Sequence, residues 1–192
     1  MGILQCGDYM QTTRFEIDGP VLIVPRRFED PRGYFMEAWK DTWFRENVAD
    51  TGFVQDNQSL SVAAGTIRGL HYQTAPVEQG KLVRCLQGAI FDVAVDMRAG
   101  SATFGRWVAA TLTPEGGEQL WVPEGFAHGF CTLKADTVVF YKVTNPYSQP
   151  NDRGIAFDDP DIGIDWPVDI ATAVLSDKDR VQPRLASLGG KT

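Results

Sequence analysis

Apolar and polar positions alternate with a period near two over short stretches of most of this chain, and that pattern predicts strands rather than helices. Residues 21–27 form a β-rich run behind Gly19 and Pro20, and the turn residues 30–33 (DPRG) lead into a second run at 34–39. Residues 40–47 have a weak helical look, with Asp41 as the cap and Trp43, Phe44 and Val48 as a partial apolar face. Alternation returns at 53–62 and, after the turn at 63–65, at 66–73. From 81 to 142 it is nearly continuous, with runs at 81–86, 89–97, 106–112, 117–122, 127–133 and 137–144. Within 89–97, Phe91, Val93 and Val95 share one face, and Asp92 and Asp96 take the other. Residues 146–160, rich in Pro, Asn, Asp and Gly, read as a loop, and the tail from 175 to 192 reads as partly helical.

Many short strands with frequent turns predict an all-β fold, a sandwich or small barrel, and the reading adopted is a double-sheet jelly roll with short helical segments at the C-terminus. The pattern alone leaves another Greek-key barrel open. The expected organisation is one domain over 1–192, with a loose leader at 1–13 and an extension at 175–192.

Composition sharpens this picture. With 192 residues, 43% apolar and 22% charged, the chain is long enough for one domain with a sizeable core. A net charge of −7 argues against a nucleic-acid surface; an anionic ligand then requires a local gathering of Arg and Lys. Three cysteines (Cys6, Cys85, Cys131) without metal spacing fit reduced thiols in a cytoplasmic protein. No segment has the length of a membrane span.

The chain has two histidines, His71 and His128, 57 positions apart, with neither an HxH nor an HExxH arrangement, a poor start for a metal centre. His71 lies in a strand-like run near Arg68, and Lys81 opens the next run. Strict alternation places Arg68 and His71 on opposite faces. If both serve one site, the strand must break parity, and a bulge at Gly69 would do so. His128 follows the turn at 123–125 and either supports a site or fixes that turn. On pattern alone Lys81 is a strand-start lysine, Tyr141 a core aromatic and Asp179 a surface acid.

A series of motifs changes those readings. RGLHYQ at 68–73 and QGKLVR at 79–84 resemble the signature of the dTDP-4-dehydrorhamnose 3,5-epimerases. The likeness continues in DPRGYF at 30–35, FVQDN at 53–57, FDVAVD at 91–96 and WVPEGFAHGF at 121–130. YKVTN at 141–145, IGIDWP at 162–167 and LSDKD at 175–179 complete it, in order, over roughly residues 20–180. The resemblance implies a cupin-like jelly roll, a homodimer with exchanged N-terminal strands, no cofactor and no metal. It implies a dTDP-4-keto-6-deoxyhexose substrate, inverted at C3 and C5.

Carried over position by position, it makes His71 the base, Asp179 its carboxylate partner, Tyr141 the acid on the opposite face and Lys81 the residue beside the keto oxygen. Arg32 and Arg68 match diphosphate contacts. Gln55, Glu37 and Asn57 match nucleotide or sugar contacts, and Phe35 and Tyr147 match contacts to the base. His128 is placed among the substrate-binding residues. Arg32 and Phe35 would reach into the partner's site. The loop at 148–153 matches less clearly.

The chemistry asks for these residue types. Removing a proton next to a ketone leaves an enolate, so a base and a donor for the oxygen are both required. A carboxylate on the far nitrogen of an imidazole fixes its tautomer and stabilises the imidazolium. Inversion needs an acid on the opposite face, which a tyrosine supplies. Guanidinium forks suit phosphate oxygens. Three other readings stand beside this one: a 3-epimerase or other isomerase of a dTDP-4-keto-6-deoxysugar on the same scaffold, a non-catalytic nucleotide-sugar-binding jelly roll, and a metal-dependent cupin oxygenase.

Overall fold

In the computed structural model, residues 10–188 are described. The chain begins with β1 (Met10–Arg14), β2 (Val21–Pro25), β3 (Arg27–Asp30), β4 (Gly33–Met36) and the helix α1 (Asp41–Asn47). The body follows as β5 (Gln55–Ser61), β6 (Ile67–Gln73), β7 (Lys81–Gln87), β8 (Ile90–Asp96) and β9 (Trp107–Leu112). It continues with β10 (Gln119–Val122), β11 (Phe126–Thr132), β12 (Thr137–Val143) and β13 (Asp152–Gly154), and ends with α2 (Asp177–Arg180) and α3 (Leu185–Leu188).

Two antiparallel sheets face each other in a jelly roll. One has the order β1-β2-β10-β7-β12-β5, the other β13-β6-β11-β8-β9, and β3–β4 is a separate two-stranded hairpin. Alternation along the strands creates the core between the sheets. Val83, Cys85, Leu120, Val122 and Val139 from the first meet Ile90, Ala94, Leu112, Phe126 and Phe130 from the second. The opposite parity is buried as well. Val93, Val95, Ile67 and Leu70 pack under Ile155, Phe157, Ile162 and Trp166 of the C-terminal segment. On the outside of the six-stranded sheet, Trp43 and Phe44 of α1 cover Ile23, Leu82 and Trp121.

The predicted faces of β8 hold: Phe91, Val93 and Val95 join the outer cluster, while Ile90 and Ala94 lie in the inner one. Three expectations change. The leader was expected to run to Thr13, but Met10–Arg14 is a strand laddered to β2 with Met10 buried; residues 1–9, with Cys6, lie outside the described residues. Asp41 does not cap α1. Lys40 stands at the N-cap, and Asp41, in the first turn, accepts from Arg45 Nε at 2.9 Å. The loop at 146–160 contains a strand, β13, because residues 152–154 complete the open edge of β6.

Candidate active site

A cavity of about 400 Å³ is lined by residues of both sheets. The six-stranded sheet contributes Ser59, Lys81 and Tyr141, the facing sheet contributes Arg68, His71, His128 and Phe130, and the segment before and within α2 adds Ser176 and Asp179.

The local fold of β6 brings Arg68 and His71 to the same side. His128 is registered with His71 and Phe130 with Arg68, so Gly69 and Leu70 together oppose Gly129. This is the parity break the sequence demanded. Its second signature is that Ile67 and Leu70, three positions apart, both sink into the outer cluster. Gly69 has φ +126°, and a Cβ there would stand 2.5 Å from Gly129 Cα. Only glycine permits this backbone to approach β11 so closely.

His71 Nε2 lies 2.5 Å from Asp179 Oδ1. The remaining Asp179 oxygen accepts from Ser176 Oγ at 2.8 Å, and Ser176 also caps α2 by accepting from the Asp179 amide. Burial works against ionisation of Asp179, but the hydrogen bond and charge of His71, aided by Ser176 and Lys178, outweigh it and hold the carboxyl below its ordinary value. The acid that sequence patterning alone placed on the surface is 4% exposed.

Lys81 is 8% exposed and donates to the His71 carbonyl at 3.2 Å. Desolvation brings its ammonium down to about 8, against the pull of Asp92 and Asp152. Tyr141 sits on β12, half-buried, and burial raises its phenol above the ordinary value despite the nearby Arg68, so it keeps its proton at neutral pH. Arg68 is steered along the edge of β5 by bonds from Nε to Ser61 Oγ and from Nη2 to the Leu60 carbonyl, each 3.0 Å. His128 Nε2 meets Asp92 Oδ1 at 2.7 Å, both groups buried. Desolvation drives His128 down and Asp92 up, so the imidazole is neutral.

Six sequence-derived candidates thus share one cavity: Arg68, His71, Lys81, His128, Tyr141 and Asp179. Asn57 is registered with Tyr141 and takes its hydrogen bond from Gln55 Nε2 at 2.7 Å. Both lie on the same face of β5 as Ser59, continuing the row outward from the cavity. Tyr147 is exposed and donates to Asp152 Oδ2 at 3.0 Å. Arg32 and Phe35, in the β3–β4 hairpin, and Glu37 just after it do not line this cavity. Arg32 is 90% exposed and paired with Asp30; Phe35 is 68% exposed.

Sequence reading missed Asp92, Ser176, and the Lys178–Asp152 ion pair that ties α2 to β13. Asp92 had a signal, an acid in the interior of a strand whose other residues before Asp96 are apolar. Among the described residues, no three His, Cys, Asp or Glu side chains are grouped to hold a metal ion.

A jelly roll that gathers an imidazole–carboxylate pair, a protonated phenol and a buried lysine has the parts of an acid–base enzyme working next to a carbonyl. The family model for dTDP-4-dehydrorhamnose 3,5-epimerase matches residues 14–187. A curated epimerase of that name from Sinorhizobium fredii is 64% identical over 87% of this chain and 85% of its own. The Bacillus anthracis enzyme, solved with TDP and PPi bound, superposes with a TM-score of 0.87 at 45% identity, over 92% of this chain and 99% of that one. The Legionella pneumophila enzyme, solved with dTDP-4-keto-L-rhamnose, gives 0.88 at 42%, over 93% and 94%. This chain belongs to the dTDP-4-dehydrorhamnose 3,5-epimerase family and is an isomerase.

Proposed function

We propose that the protein converts dTDP-4-dehydro-6-deoxy-D-glucose to dTDP-4-dehydro-L-rhamnose by withdrawing and returning protons at C3 and C5. The observation that carries this reading is the 2.5 Å contact between His71 and Asp179 in a cavity shared with Tyr141 and Lys81. His71 takes the proton next to the ketone, and Asp179 stabilises the imidazolium that forms. Lys81 donates to the enolate oxygen, and Tyr141 returns a proton on the opposite face of the ring. Arg68 binds the diphosphate, with Gln55, Asn57 and His128 on the sugar and nucleotide. The bound TDP and keto-rhamnose of the related structures support this ligand class.

The same reading makes the active form a homodimer. The β3–β4 hairpin holds Arg32 and Phe35 exposed and outside the cavity of their own chain. A guanidinium and a phenyl ring displayed in this way suit a partner's nucleotide site, with Glu37 beside them. Tyr147 stands exposed on the segment leading to β13 and would face the base. Buried free thiols at Cys85 and Cys131 support a cytoplasmic location, and no helix among the described residues is long and apolar enough to cross a membrane.

Deuterium incorporation tests the reaction. The ketosugar nucleotide incubated in deuterated water is expected to gain label at both C3 and C5 in the proton NMR spectrum. Label confined to C3 makes the protein a 3-epimerase, and binding without exchange makes it a binding module.

A further inference from the structure

The buried Lys81 ammonium needs a counter-charge, and the groups around it leave one candidate. Lys81 donates to the His71 carbonyl of β6 and shares the cavity wall with His128 of β11, Tyr141 of β12 and Asp179 of α2, and it feels the charges of Asp92 from β8, Asp152 from β13 and Lys178 from α2. Asp179 is engaged with His71 and Ser176. Asp152 and Lys178 are paired with each other, and their opposite effects on Lys81 oppose one another. Tyr141 and His128 are neutral. Asp92 remains. It has no solvent exposure, spends one oxygen on His128, and has no hydrogen-bond partner for Oδ2 among the described residues; burial raises its carboxyl, and His128 and Lys81 are the groups that pull it back toward the carboxylate.

We infer that Asp92 is a positioning residue for the epimerisation: as a buried carboxylate it keeps the Lys81 ammonium charged beside the substrate oxygen and holds His128 in the tautomer with its proton on Nε2. This inference rests on the role of Lys81 proposed above. Burying an ammonium disfavours its charge, and an enclosed anion restores it. A lysine already down at about 8 has little margin: without the carboxylate it becomes neutral near physiological pH and cannot stabilise an enolate. Lys81 in the cavity wall and the fully buried Asp92 would then form a neutral unit, and the imidazole would add no charge to it.

The test is the pH profile of exchange in the Asp92→Asn protein, whose side chain keeps the shape and a hydrogen-bonding oxygen for His128. The basic limb is expected to move down by about one pH unit. The rate at pH 8 then falls about five-fold while that at pH 6 stays near wild type, which a purely structural lesion would not reproduce. A basic limb in its original place overturns the inference. Should the variant not fold, carboxyl carbon NMR of the wild-type protein decides: an ionised Asp92 at pH 7 supports the inference and a protonated one overturns it. Lys81→Met separates the two levels. If that protein exchanges at the wild-type rate, the proposed role of Lys81 is wrong; if it is inactive and the Asp92→Asn profile is unmoved, only the present inference fails.

Discussion

Two side chains at the centre of the cavity show how burial is used at the scale of single residues. Asp179 is held ionised by its partners, so its contribution to folding is present above the ordinary carboxylate value and is lost as pH falls through its depressed folded value. Asp179→Asn should flatten that acid-side loss in urea titrations and lower kcat by about 10²–10⁴-fold, because the imidazolium loses its anion. Lys81 works in the other direction. Its folded value, about 8, lies below the ordinary 10.5, so the unfolded chain binds more protons between those pH values and stability rises with pH there. The gap corresponds to about 3 kcal/mol. Unfolding free energies at pH 7.5 and 10 should show this rise in the wild type and lack it in Lys81→Met, which should also lose about 100-fold or more in rate.

Among elements, β6 carries the most consequence. Its two-against-one pairing with β11 turns Arg68 and His71 to the same side. That break was legible in the sequence, since two functional candidates of opposite parity flanked a glycine. Gly69→Ala would set a methyl against Gly129 Cα and the His128 carbonyl, in a left-handed conformation. Thermal or urea unfolding is expected to show a loss of about 2–4 kcal/mol, with exchange activity lost as the register slips. The α2 turn was less legible. A run such as SDKD has the polarity of a surface tail, and nothing local to it announces that His71, 108 positions away, will bury its last acid. Only the motif likeness pointed there. Ser176→Ala removes both the cap and the second partner of Asp179, and is expected to cost about 1 kcal/mol together with a measurable fall in kcat. Strand β13 escaped notice for a related reason: three residues between turns carry no periodicity, and their pairing is dictated by the open edge of β6.

For the whole molecule, alternation predicted two sheets and a shared core but not the order of strands within them, because sheet order is set by which edges meet, information a linear pattern does not hold. The same limit applies to the hairpin of Arg32 and Phe35, which lies outside its own chain's cavity. If each site is completed by the neighbouring subunit, defects in the two parts must complement each other. Take His71→Ala and Arg32→Ala proteins, each expected to be strongly impaired alone, and let their subunits exchange. In a mixed dimer, one site combines both defects. The other joins an intact His71 from one subunit to an intact Arg32 from its partner. Random reassociation makes half the dimers mixed, each with one working site of two, so activity should return to about a quarter of the wild-type value. Were Arg32 to serve the cavity of its own chain, every site in the mixed dimer would carry one lesion and no activity would return. Recovery on mixing, measured by label uptake at C3 and C5, therefore distinguishes a shared site from a self-contained one without requiring the geometry of the interface.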